Sequence, residues 1–374
     1  MKNKEEQTAP KLRFKGYTDA WQQHKLSDIA NIIGGGTPST KNLSYWSGDI
    51  NWYSPSEIGS SVYVNSSKIK ISEHGLKHSS AILLPGNRTI LFTSRAGIGN
   101  MAIMKTDGTT NQGFQSWIID PLKTNIYFLY SMGNLIKKEA LKKASGSTFL
   151  EISNSEVKKL EIKFPSKPEQ DKIGELLSKL DKVVTLLQRK VECLRVYLTN
   201  ELKELILYSV PTQTVMFNDI IDTISLKNYI TKENINNGKY NILQQGDNPN
   251  FGFSNMIPYK NYEKVILFGD HTLSIYKPKA PFLVSTDGVK GITSATIDIK
   301  FLHLLLVLFK PKSQGYKRHL SILKDTKVTF PKDKDMQIKL GKLFYKEYNY
   351  LKQEENRIHE LKKLKQFLLQ NMFI

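Results

Sequence analysis

From Leu177 onward the apolar residues fall at alternating steps of three and four: Leu177, Leu180, Val184, Leu187, Val191, Leu194 and Leu198. That period is the seam of a coiled-coil helix; a helix lying on a globular core shows a wider apolar stripe. Pro168 fits the first turn, where a missing N–H costs nothing, and Pro211 stops the chain after Val210. The pattern predicts a first coiled-coil helix within residues 164–210, and about forty residues at 1.5 Å each make a rod on the order of 60 Å long. Further on, the same register reads Phe344, Glu347, Leu351, Glu354, Ile358, Leu361, Lys365 and Leu368. It predicts a second helix within residues 332–374, whose apolar seam is Leu351, Ile358, Leu361 and Leu368 and whose polar positions make it weaker alone. Taken singly, each segment also fits an amphipathic helix packed on its neighbouring domain.

The two segments open alike, FPSKPEQDKIGELL at Phe164 and FPKDKDMQIKLGKLF at Phe330. A spacing of 167 residues pairs Gln170 with Gln337, Gly174 with Gly341, Leu176 with Leu343 and Leu194 with Leu361. Duplication is the simplest explanation, and it favours an antiparallel pair of helices within one chain. Residues 1–163, with a tail at 1–11, read as one domain and residues 211–331 as a second. The first has short strand-like runs (SSVYVNSSKIKIS, TILFTS, QSWIID, KKLEIKF) broken by GGGTPST, PGN, GIGN and DGTTNQG, with one basic amphipathic helix in IYFLYSMGNLIKKEALKKA. The second has the same style, with a very apolar helix or strand in IKFLHLLLVLFKP. Both begin with a similar phrase, KLSDIANII at Lys25 and MFNDIIDTI at Met216, and both close on a strand ending in Phe-Pro, while their interiors barely match. The expected fold class is α+β: two mixed α/β domains, for which a mostly β structure also fits the glycine-rich turns, joined by two long antiparallel coiled-coil helices in a pseudo-two-fold arrangement. Constant frames around unlike interiors suit the reading of two different things.

Charge then narrows the partner. Lys and Arg number 54 against 35 Asp and Glu, a net charge of +19, which points to a polyanion, nucleic acid first. No run of eighteen apolar residues and no apolar stretch after the N-terminal lysines occurs, so no membrane partner and a cytoplasmic location are expected. Cys193 is the sole cysteine, which leaves neither a disulfide nor a zinc framework.

The short motifs favour binding over catalysis. GIGNMA at Gly97 has a dinucleotide-loop spacing, but the following residues read as a strand where that loop needs a helix. GGGTPST lacks the Gly-Lys-Ser/Thr ending of a phosphate loop, and NPNF at Asn248 departs from an amino-methyltransferase motif at Asn250. The acid-x-Lys triplets Glu161-Ile162-Lys163 and Asp298-Ile299-Lys300 match metal nucleases in spacing, yet are common in a chain that is 24% charged and read as surface strand residues. No catalytic residue, metal site or cofactor is expected in this chain. What remains are side chains that read base edges, Arg95 for guanine and Asn111, Gln112, Gln244 and Gln245 for adenine. Lys41, Arg88, Lys290, Lys317 and Arg318 are of the phosphate-contacting type, and Thr37, Ser39, Ser94 and Asn248 complete the expected DNA-binding set. Each of these, taken alone, also fits a solvated or turn-stabilising residue.

This constellation resembles the specificity (S) subunit of type I restriction-modification systems, from about Phe14 to the C-terminus. The resemblance rests on GGGTPST followed by YWSGDINWYSPSEIG, on LLPGNRTILFTSRAGIG with TNQGF, on GSTFLEIS before the first helix, on the doubled Phe-Pro-to-helix phrase, and on IHELKKLKQFLLQNMF. It implies two target-recognition domains on double-stranded DNA, each reading half of a bipartite target, with the helical spacer setting the gap. It also implies two modification (M) subunits that methylate adenine with S-adenosylmethionine, and restriction (R) subunits that cut with ATP and Mg²⁺. The second domain departs from the pattern: it lacks GTPST and T-S-x-A-G-I-G, and FLVSTDGVKGIT is expected in the latter's place. Two other readings stay open at this stage, a DNA-modifying enzyme acting alone and a coiled-coil adaptor.

Overall fold

The strand-like runs between residues 22 and 164 form ten strands in the computed structural model, which describes residues 9–146, 150–208, 211–315 and 317–374. Residues 1–8 of the expected tail, Ser147–Phe149 of GSTFLEIS and residues 209–210 at the expected end of the first helix lie outside the described residues. The chain divides into unit 1, residues 1–185 with 359–374, and unit 2, residues 186–358.

In unit 1 the strands are β1 (Gln22–Lys25), β2 (Ala30–Gly34), β3 (Ile50–Tyr53), β4 (Tyr63–Val64), β5 (Ile69–Ile71), β6 (Thr89–Phe92), β7 (Met101–Met104), β8 (Gly108–Thr110), β9 (Gln115–Ile119) and β10 (Glu161–Phe164). One sheet runs β2-β9-β6-β7-β4, a second β5-β3-β8, and β1 pairs antiparallel with β10. Strand β6 reads as a continuous apolar run because both of its faces are covered. Ile90 and Phe92 pack with Trp117, Phe128 and Ile136, whereas Leu91 packs with Ala102, Met104, Tyr53 and Leu84. The basic helical run divides into two helices, Ile126–Ser131 and Gly133–Lys143.

The first long helix spans Lys167–Val196, so residue 164, expected within it, lies instead in β10, where pairing with β1 holds the backbone extended. A π-helical turn at Tyr197–Glu201 and a helix at Leu202–Tyr208 follow. The second long helix spans Lys334–Asn371. Within unit 1 the two run antiparallel: Ile173 and Leu177 share a core with Leu368, Met372 and Phe373, and farther along the first helix Asp181 pairs with Lys365 at 2.7 Å. Leu177, Val184, Val191 and Leu198 are buried, as are Leu351, Ile358 and Leu368, while Leu180, Leu187, Leu194 and Leu361 are half-buried. A coiled-coil seam has this appearance, with one of its two repeating positions turned further inward. Two of the three polar seam positions of the second helix are matched by charge: Lys365 takes Asp181 in unit 1, and Glu354 takes Lys190 at 3.3 Å in unit 2.

Unit 2 repeats the frame. Its strands are β11 (Thr212–Met216), β12 (Asp222–Ile224), β13 (Tyr240–Leu243), β14 (Asn250–Ser254), β15 (Ile266–Gly269), β16 (Ile275–Tyr276), β17 (Phe282–Val284), β18 (Val289–Thr293) and β19 (Lys327–Pro331). The sheet β12-β18-β15-β16 follows the order β2-β9-β6-β7, β14-β13-β17 follows β5-β3-β8, and β11 pairs with β19 as β1 does with β10. The apolar run at 299–309 is a helix, Ile299–Phe309.

The doubled phrase has a local cause in each unit. The buried Gln170 amide donates to the Pro165 carbonyl at 3.0 Å, and Gln337 donates to that of Pro331 at 2.7 Å. Each glutamine thereby ties the first turn of a long helix to the Phe-Pro strand end before it. At Gly174 a Cβ would lie 2.4 Å from Asn125 Oδ1, and at Gly341 one would lie 2.6 Å from the Phe301 nitrogen. Glycine recurs because each long helix crosses the start of a second helix, capped by Asn125 in one unit and by Asp298 in the other. The shared opening phrase is equally concrete: Asp28 accepts from the Lys25 backbone and Asp219 from that of Met216, both at 3.0 Å.

Candidate nucleic-acid interface

The phrases that stood out in the sequence come together at one end of β9 in unit 1. Gly36 N–H donates to the Thr110 carbonyl at 2.8 Å, and Gly36 accepts from the Trp52 indole at 2.9 Å. Gly35 lies so flat on the Asn111 carbonyl that a Cβ there would come within 1.8 Å of it, and only glycine permits that approach. GGGTPST is thus fastened to TTNQG and NWYSPS. TSRAGIG arrives from the other side: Ser94 N–H donates to the Gly113 carbonyl at 2.8 Å, and a Cβ on Gly113 would meet Pro55 at 2.7 Å and Arg95 Nε at 3.4 Å.

The TSRAGIG turn is held by Thr93, whose hydroxyl donates to the Gly97 carbonyl at 2.6 Å and accepts from Asn100 N–H at 2.9 Å. Ala96, Gly97 and Gly99 all have positive φ, which is why two glycines follow the arginine. Arg95 stands at the rim of this turn, half-buried beside Gly113. Asn111 Oδ1 accepts from Gly113 N–H at 2.8 Å, and Thr37 Oγ1 donates to Gln112 Oε1 at 2.6 Å. Thr37, Arg95, Asn111 and Gln112 therefore share one surface, with exposed Ser39 and Lys41 on the loop leading away from it. Ser94 is fully buried behind that surface, and its carbonyl accepts from Ile152 N–H at 3.0 Å. Arg88 lies at the far end of β9, with its Nε donating to the Ile119 carbonyl at 3.3 Å.

In unit 2 the same frame places other residues at this spot. Asp270 N–H donates to the Gly288 carbonyl at 2.9 Å, as Ser94 does to Gly113, and Gly288 N–H donates to Thr286 Oγ1 at 3.3 Å, as Gly113 does to Asn111. ILFGDHTLS, running on from β15, is thus the counterpart of ILFTSRAGIG, running on from β6, and FLVSTDG is the counterpart of TTNQG. The sequence-level placement of FLVSTDGVKGIT opposite TSRAGIG is corrected accordingly. His271 stands where Arg95 does, and Thr286 and Asp287 stand where Asn111 and Gln112 do; none of the three was singled out in the sequence. The shared Ile-Leu-Phe of β6 and β15 was the available signal.

The expected unit 2 readers Gln244, Gln245 and Asn248 are held by backbone groups. Gln245 Oε1 accepts from His271 N–H at 3.0 Å, Gln244 Nε2 donates to the Asn248 carbonyl at 3.1 Å, and Asn248 Oδ1 accepts from Asn250 N–H at 3.2 Å. Lys290 pairs with Asp287 at 2.8 Å and holds that carboxylate below its usual pKa range. Lys317 and Arg318 are exposed on the segment before the short helix Leu320–Lys324. The nuclease-like triplets have structural places: Glu161 on edge strand β10 accepts from Gln23 at 2.7 Å, and Asp298 caps the Ile299–Phe309 helix. Among the described residues, no group of three or more His, Cys, Asp and Glu side chains is placed to hold a metal ion, and no helix is long and apolar enough to cross a membrane.

Residues 18–194 match the family model described as the type I restriction modification DNA specificity domain. Over 177 residues the chain is 39% identical to the type I restriction enzyme MjaIX specificity subunit of Methanocaldococcus jannaschii, covering 46% of this chain and 41% of that one. Over 178 residues it is 30% identical to the EcoR124I/EcoR124II specificity subunit of Escherichia coli, covering 46% and 43%. The matched segments thus span less than half the length of these relatives. The fold is similar over nearly the whole chain to the crystal structure of a type I restriction-modification S subunit from M. genitalium: TM-score 0.72, 18% identity, 98% of this chain and 99% of that one. The resemblance to type I specificity subunits stands, by sequence over residues 18–194 and by fold over nearly the whole chain.

Proposed function

We propose that this chain is the DNA-specificity subunit of a type I restriction-modification complex and that each unit reads one half of a bipartite target in the major groove. The observation that carries this reading is the gathering of four separate phrases into one donor-rich surface in unit 1, on a frame that unit 2 repeats with different loops. In this proposal the loops decide which bases are read, and the net charge of +19 supplies sequence-independent attraction to phosphate. Adenine methylation with S-adenosylmethionine belongs to two modification subunits, and cleavage driven by ATP and Mg²⁺ belongs to restriction subunits. This chain, working in the cytoplasm, supplies the address and no catalytic group.

Selection from a randomised duplex pool by the full-length chain tests the reading. Two short fixed segments separated by unread base pairs are expected, and enrichment of one contiguous segment would overturn the divided target. Incubating the chain alone with DNA, Mg²⁺ and S-adenosylmethionine tests the assignment of catalysis to partners: methylation or cutting would overturn it.

A further inference from the structure

We infer that the reading surface of unit 1 is built to donate hydrogen bonds, so that it selects a base edge with adjacent acceptors, the O6 and N7 of guanine above all, and rejects the donor–acceptor edge of adenine. The inference rests on the function proposed above and goes further by naming the chemistry of the bases read.

An asparagine or glutamine reads adenine by offering its oxygen to the N6 amino group and its nitrogen to N7, side by side at one outward edge. Asn111 does not offer that edge. Its oxygen accepts from Gly113 N–H at 2.8 Å and lies 3.0 Å from the point where a Cβ on Gly113 would sit. A main-chain N–H can only donate, so the partner facing it must be the amide oxygen, and the Nδ2 hydrogens are the ones left to face outward. At Gln112, the exposed neighbour, Oε1 is held by the Thr37 hydroxyl at 2.6 Å and Nε2 is left to donate. Beside them Arg95 brings a guanidinium that has donors and no acceptor, with Nε packed at Gly113. GGGTPST thus contributes more than a close backbone approach: its Thr37 holds one end of the Gln112 amide, here the oxygen, at 2.6 Å.

The test uses the full-length chain, isosteric variants and base analogues. Asn111→Asp and Gln112→Glu keep the oxygens that accept from Gly113 and Thr37 and remove the outward amide donors. Wild-type protein is expected to enrich guanine in the segment read by unit 1 and to bind about tenfold more weakly when 7-deazaguanine removes N7 there. N111D and Q112E are expected to lose that sensitivity and to shift enrichment at the same position toward cytosine or adenine, whose amino groups donate to a carboxylate. The unit 2 segment should be unchanged. The inference is overturned if both variants enrich the wild-type sequence, or if wild-type protein selects adenine there and loses affinity with removal of either its N7 or its N6 amino group. If wild-type protein enriches no sequence at all, the proposed function itself falls, which is a different result from either of these.

Discussion

Arg95 and His303 show how two polar side chains can be placed for opposite ends. Arg95 is held at the rim of a turn in which Ala96, Gly97 and Gly99 have positive φ, and in the proposed reading its guanidinium contacts a base. Arg95→Ala should weaken binding by about 1–3 kcal/mol on the correct first segment and relax specificity only there, read by selection from randomised duplexes. Uniform weakening on every sequence would make it a phosphate contact. His303 lies in the middle of the Ile299–Phe309 helix, fully buried, with its ring edges on Phe344 and Tyr348 and with neither ring nitrogen hydrogen-bonded. Burial pushes its pKa down from 6.5 to about 3, so the folded protein keeps it neutral where the unfolded chain would protonate it. The stability it permits is present above about pH 6.5 and is lost as pH falls, at a slope of about 1.4 kcal/mol per pH unit. His303→Leu should flatten the acid side of the pH–stability curve and raise stability at neutral pH by about 1–3 kcal/mol, measured by denaturant unfolding.

At the scale of elements, polar pairs give direction to the helix seam. Asp181 accepts from the Tyr127 hydroxyl and pairs with Lys365, so one carboxylate joins the short Ile126–Ser131 helix to both long ones within unit 1. Burial raises the Tyr127 pKa, and the bond to Asp181 raises it further, so this hydroxyl stays a donor throughout the working range. Asp181→Ala would leave two partly buried donors unpaired and should cost about 1–3 kcal/mol, seen as a lower melting temperature. In unit 2, Glu354 is bonded by Lys190 through Oε1 while its Oε2 has no partner. Such a half-satisfied polar seam residue trades stability for register.

These seam residues were legible as breaks in the heptad, and the Phe-Pro, Gln and Gly phrase was legible as a repeat, because local rules govern both. The equivalence of ILFGDHTLS with ILFTSRAGIG was not. It depends on which strands pair across the sheet, and after three shared residues the loop sequences diverge. The orientation of Asn111 was equally hidden, since a turn and a base reader use the same residue type.

For the whole molecule, the gap-setting helical spacer that the resemblance implies carries its own test. The division between units falls after Thr185 in the first long helix and after Ile358 in the second. Inserting seven residues at both places keeps the phase of the seam and adds about 10.5 Å, close to three base-pair steps. The unread gap, mapped by sequencing methylated DNA in cells carrying the variant, should lengthen by about three base pairs, and an unchanged gap would sink the ruler.

The core of unit 1 has one more consequence. Trp21 and Phe128 close on Phe373, and Met372 is buried beside them, so residues translated earlier wait for residues translated some 350 positions later. While the ribosome is still working through unit 2, the earlier half must persist with an open apolar socket, exposed to chaperones and to proteases. A nascent chain interrupted before Phe373 would therefore be defective in the half made first, far from the point of interruption.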